Sequence, residues 1–165
     1  MNRLVLIVCC LGLAACSSGK SEAEKVAAAI KGDNAGKAAD NRQSKFLTNV
    51  EAGSYMGEPV VRVENAAMGS GCMWSAASDT GSLLVQVVPA DYHERPSAAP
   101  GYKELPKIDE KAFVVPEMGG WHAGSLRGEH AIHVQLGGKG ASEARTVELL
   151  IEAMKRDAAI PDIKK

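Results

Sequence analysis

Gly71-Cys72-Met73-Trp74-Ser75-Ala76-Ala77, Ser78-Asp79-Thr80-Gly81-Ser82 and Leu83-Leu84-Val85-Gln86-Val87-Val88 form the stretch whose reading decides the fold. It reads as two strands joined by a polar turn, with a glycine in the turn to supply a positive φ. The second strand is apolar on both faces, with Leu83, Val85 and Val87 pointing one way and Leu84 and Val88 the other. At a solvated edge such a strand would expose one of those rows, so it is expected inside a sheet and covered. Cys72 and Trp74 are two residues apart and share a face, where Trp74 offers the largest apolar surface of that half.

The N-terminus follows a different logic. Met1-Asn2-Arg3 is a short positive region, followed by an apolar run over residues 4–15. A resident membrane helix needs roughly 20 residues, so this run is short for a span and suits the hydrophobic region of a signal peptide. It ends in Leu13-Ala14-Ala15-Cys16, which resembles the lipobox of bacterial lipoproteins. That resemblance implies a lipid on the Cys16 thiol, cleavage before Cys16 and a membrane anchor. Several acyl chains on one residue make release unfavourable, at about 0.8 kcal/mol per buried methylene. Ser17 follows the cysteine where retention signals carry an aspartate; in a Gram-negative host the resemblance therefore implies the outer membrane, facing the periplasm.

Removing residues 1–15 leaves 150 of the 165 residues, enough for one domain. Only Arg3 is lost among the charged residues, so the net charge moves from −1 to −2. That near balance argues against a nucleic-acid surface or a polybasic membrane surface. Cys9 and Cys10 leave with the signal and Cys16 is taken by lipid, so Cys72 remains without an intramolecular partner. Residues 16–44 are expected to be the lipidated cysteine and a flexible tether, since Ala, Gly, Lys, Asp, Asn and Ser dominate and no aromatic occurs. A single α+β domain is expected over residues 45–165.

Within that domain Thr48 is placed to cap a helix over Asn49 to Met56, with Gly57 ending it and Pro59 preventing continuation. Val60-Val61-Arg62-Val63-Glu64 alternates as a half-buried strand. Residues 89–106 contain four prolines and read as a long surface excursion with one helical turn. Strands follow at 112–115, 121–126 and 131–136, with Met118-Gly119-Gly120 as a turn. In the last of them Ile132, Val134 and Leu136 point inward, while His133 and Gln135 form a solvated row. Ser142 opens a final helix whose stripe is Val147, Leu150, Ile151, Met154 and Ala158, ending near Pro161. Short connections predict an antiparallel sheet with this helix across one face.

This order of elements around Cys72-Met73-Trp74 resembles the small bacterial lipoproteins of unknown function that carry a Cys-x-Trp motif. The resemblance covers roughly residues 48–158 and implies a fold similar to the PsbP-like α/β sandwich. Many members carry an additional cysteine, which this chain lacks after processing. The family implies no catalytic residues.

For chemistry, His122 and His133 are the weak candidates for a metal site, with His130 nearby. Zinc and copper sites need closed sets of imidazole, thiolate or carboxylate ligands. His130 and His133 are an odd number apart on one strand, so they point to opposite faces. Cys72 sits among apolar neighbours that would raise its pKa and keep the thiol inert. Gly137-Gly138-Lys139-Gly140-Ala141-Ser142 lacks the order and the parallel setting of a phosphate-binding loop and reads as a strand-to-helix turn. No cofactor motif and no Ser/His/Asp set can be singled out. The expectation is a non-enzymatic, membrane-anchored module binding an envelope protein or another envelope component. The alternative is a small-molecule or metal-binding module built on the histidines.

Overall fold

The computed structural model describes residues 39–159 apart from Asp79 and Met118. The expected signal peptide, Cys16, most of the expected tether and Pro161 lie outside the described residues.

Helix α1, Asn49–Met56, forms where local signals are strongest. Thr48 Oγ1 accepts from the Glu51 amide while the Glu51 carboxylate accepts from the Thr48 amide, a complete capping box. Gly57 closes the helix at φ 75°, a left-handed value that costs a glycine nothing. The chain then enters β1 (Val60–Ala66), β2 (Gly71–Ala76) and β3 (Ser82–Pro89). After a long excursion come β4 (Lys103–Glu104), β5 (Phe113–Glu117), β6 (Gly120–Arg127) and β7 (His130–Gly137). Helix α2 (Glu143–Ala159) completes the described chain. The molecule is α+β, with an antiparallel sheet in the order β1-β2-β3-β7-β6-β5-β4.

The hairpin expected at residues 71–88 forms, and β3 lies between β2 and β7 inside the sheet. Its turn glycine works by space rather than by angle. Gly81 does not have a positive φ, but a Cβ there would lie 2.6 Å from that of Ala76. The strand that closes the sheet beside β3 is β7, because the excursion carries the chain to the far edge and β4 to β7 return as consecutive antiparallel neighbours.

Both helices pack on one sheet face, α2 over β5 to β7 and α1 over β1 to β3. That face carries Cys72, Trp74, Leu83, Val85, Val134 and Leu136, all buried against Ala52, Met56, Leu149 and Leu150. The buried side of α2 is turned from the expected stripe. Leu150 and Met154 are buried as expected, but their companions are Thr146, Leu149, Ala153 and Asp157, while Ala158 is exposed. The domain also starts earlier than residue 45. Gln43 and Phe46 are buried, Ala39 packs on the core, and Asn41 donates from Nδ2 to the Gly71 carbonyl. Residues 39–44, expected as the end of the tether, are thus part of the domain.

The glycine turn before α2 has a structural partner. Gly140 donates its N–H to the Met56 carbonyl at 2.8 Å, satisfying the end of α1. A Cβ on Gly140 would stand 2.4 Å from the Tyr55 carbonyl oxygen, so glycine is required by that close approach.

Candidate functional site

The sheet face opposite the helices holds a line of imidazoles. His122 on β6 and His133 on β7 point to this face, beside Phe113 of β5, because Phe113, Gly124 and His133 stand in register across the three strands. The excursion after β3 brings a third ring. A short 3-10 turn over Ala90–Tyr92 ends at His93, which swings back over the sheet. Its Nδ1 lies 3.2 Å from His133 Nε2, and its Nε2 lies 3.1 Å from the Lys111 carbonyl, in the connection between β4 and β5. His133 Nδ1 lies 3.0 Å from His122 Nε2, and His122 Nδ1 lies 3.0 Å from Glu117 Oε1. The result is one continuous chain: Lys111 carbonyl, His93, His133, His122, Glu117.

Packing holds the rings in place. Phe113 contacts all three imidazoles, with centroid separations of 5.9, 5.1 and 6.0 Å to His93, His122 and His133. Tyr102 stacks on Phe113 at 5.9 Å. Gly124 lies directly beneath, where a Cβ would stand 2.9 Å from His133 Nδ1 and 2.8 Å from Phe113 Cε1. Any side chain at that position would displace the ring that links the other two.

His133 was expected in a solvated row; the excursion covers it instead. Burial is the main cause that pulls its pKa down, to about 4, with His122 and His93 adding to the effect. Burial also lowers His122, against the opposing pull of Glu117.

The candidate metal ligands His122 and His133 do meet, but the donors do not converge. Each nitrogen of His133 is turned to a different neighbour, and each nitrogen of His122 likewise. A metal sphere needs one nitrogen from each ring aimed at a common point. Among the described residues no group of three or more His, Cys, Asp or Glu has that arrangement. His130 lies on the helix-covered face, as the strand period requires, and its Nε2 meets Asp157 Oδ2 at 2.8 Å.

One end of the imidazole chain opens to solvent. Glu117, with its side chain 44% exposed, borders a cleft of about 330 Å³ at the end of the sheet. Thr80, Ser82, Trp121 and Gln135 line it together with Gly119, Gly120 and Gly137. The cleft thus combines hydroxyls, an amide and a carboxylate, and it borders β6 at Trp121, which shares the helix-covered face with its partner Leu136 and packs against the core.

Cys72 is fully buried beside Trp74, and burial pushes its thiol up to about 12. It is not a nucleophile in this state. No family model, no curated protein and no solved structure matches this chain.

His93 is the functional candidate that sequence reasoning missed. It lies in a proline-rich loop 40 residues before its partner His133, and no local pattern joins them. The odd spacing of His130 and His133 did separate the structural histidine from the one in the chain.

Proposed function

We propose that this chain is a bacterial envelope lipoprotein, anchored through Cys16, whose domain is a non-enzymatic binding module. In a Gram-negative host it would sit at the outer membrane facing the periplasm. The lipobox and the Cys72-x-Trp74 setting support kinship with the small Cys-x-Trp lipoproteins and their PsbP-like fold. The observation that carries the binding reading is the cleft at the end of the sheet, lined by Glu117, Gln135, Thr80 and Ser82 together with Trp121, Leu136 and three glycines. Small-ligand sites fix their ligand through a few placed polar groups, and this cleft supplies a carboxylate, an amide and hydroxyls. Its chemistry suits a small polar component of the envelope that bears hydroxyl or amine groups.

The two tryptophans make the test direct. Trp74 is buried in the core, whereas Trp121 lines the cleft. Soluble envelope fragments should change the Trp121 fluorescence of the full chain in a saturable manner, and Trp121→Phe should remove the change. A saturable signal that survives in Trp121→Phe would place the ligand elsewhere. For the anchor, palmitate labelling should tag the native protein and spare Cys16→Ser.

A further inference from the structure

We propose that Glu117, His122, His133 and His93 form a binding site for one exchangeable proton, shared along the whole chain from the Lys111 carbonyl to the Glu117 carboxylate. The argument is a count of hydrogens.

Both ends of the chain are acceptors, the Lys111 carbonyl and the Glu117 carboxylate. Between them lie four polar contacts at 3.0 to 3.2 Å. Each contact needs one hydrogen to be a hydrogen bond. Three neutral imidazoles carry three N–H hydrogens, one each. The chain is therefore one hydrogen short when neutral and complete when it holds one extra proton.

The placement follows link by link. His93 Nε2–H donates to the Lys111 carbonyl, which leaves His93 Nδ1 to accept from His133 Nε2–H. His133 Nδ1 then accepts from His122 Nε2–H. His122 must also donate from Nδ1 to Glu117, so His122 is the imidazolium of the complete chain. Shifting one hydrogen across each contact moves the positive charge to His133 and then to His93 without breaking a contact.

Loss of the proton removes one hydrogen bond. Both end contacts border solvent, and the neutral one, from His93 Nε2 to the Lys111 carbonyl, is weaker than the one to the carboxylate. Reversing the three remaining hydrogens keeps His122 Nδ1–H on Glu117 and leaves His93 Nε2 with none for the Lys111 carbonyl. The neutral chain therefore stays tied to Glu117 and opens at its Lys111 end. Burial lowers the pKa of both His122 and His133, so the proton is harder to hold on those two rings. The charged or ionisable groups that act on these rings are Glu117 from β5, His122 from β6, His133 from β7 and His93 from the excursion.

Nitrogen-15 NMR of the full chain, labelled at histidine, tests the count without any ligand. Among the four histidines, His130 is bound to Asp157 on the other face and serves as an independent reference. The ring nitrogens of His93, His122 and His133 should move together with one midpoint as a single proton is taken up. Glu117→Gln is the decisive variant, because the glutamine amide can donate to His122 Nδ1 and supply the missing hydrogen without charge. In that variant the shared step should fall by about one pH unit or more, a tenfold loss of proton affinity. Three separate midpoints in the native chain, or a shared midpoint that Glu117→Gln leaves in place, would overturn the proposal.

Discussion

Cys72 shows how far one side chain can be read. It shares a strand face with Trp74, both are inaccessible, and burial pushes the thiol up to about 12. At neutral pH the thiolate, the reactive form, is then scarce, and the sulfur is out of reach. A bulky thiol reagent should modify the native protein slowly and the denatured protein at the rate of a free cysteine. Fast native labelling would show that the Trp74 face opens. His133 shows the limit of the same reasoning. Its alternation with Val134 correctly placed it on the face away from the helices, but a strand period cannot say what covers that face. The covering ring is His93, from a loop distant in sequence. A residue's own strand sets its direction, whereas its environment is set by whichever segment the topology returns to it.

Elements were legible in proportion to how local their signals are. Thr48, Gly57 and Pro59 mark α1 within a few residues, and the structure places its ends there. The hairpin of β2 and β3 follows from alternation and one turn. The pairing of β3 with β7 has no local signal, because a long excursion and three further strands intervene before the sheet closes. The two-residue β4, inside the excursion, is too short to show alternation. Helix α2 lies between these cases. Its amphipathicity was visible, but the stripe chosen from apolar residues alone passed over Thr146 and Asp157. Thr146 Oγ1 donates to the Ser142 carbonyl, and Asp157 meets His130 through Oδ2 and pairs with Arg42 through Oδ1, so each has a polar partner in burial, although Asp157 Oδ1 accepts no hydrogen bond. The buried face centres on Leu149, Leu150 and Ala153. Leu149→Ala should therefore cost about 2–5 kcal/mol in denaturant unfolding, as should Leu150→Ala. Ala158→Lys should stay within about 0.5 kcal/mol. A large loss at Ala158 with none at Leu149 would restore the stripe first expected.

Across the whole molecule, α2 acts as the clamp that joins the start of the domain to the sheet. Arg156 reaches Glu51 with two contacts, Nη1 to Oε2 at 3.0 Å and Nη2 to Oε1 at 2.7 Å, and also donates to the Phe46 carbonyl. Its Nε donates to Glu152 at 2.7 Å. One residue later, Asp157 lies 3.2 Å from Arg42 Nη2, and the same nitrogen donates to the Asp157 carbonyl at 2.7 Å. The segment before α1, compositionally a tether, is thereby drawn onto the domain by contacts that span more than a hundred residues. No pattern near residues 39–46 announces that. The clamp has a pH signature. Hydrogen bonds from Arg156, with those from Thr48, hold the Glu51 carboxyl down from 4.5 to about 2. A carboxyl depressed in the folded state adds stability that is fully present above its unfolded pKa and is lost as pH falls through the folded one. The window here runs from about pH 4.5 down to about pH 2. Glu51 is 39% exposed, so solvent screening limits the gain at neutral pH to about 1 kcal/mol. Glu51→Gln removes the charge but keeps an acceptor for the capping box. Its stability should lie about 1 kcal/mol below native at pH 7 and converge on the native value as the pH approaches about 2. Denaturant unfolding of both proteins across that range measures the gap. A gap that stays constant with pH would mean that Arg156 holds Glu51 through shape alone, and that its charge adds nothing to the clamp.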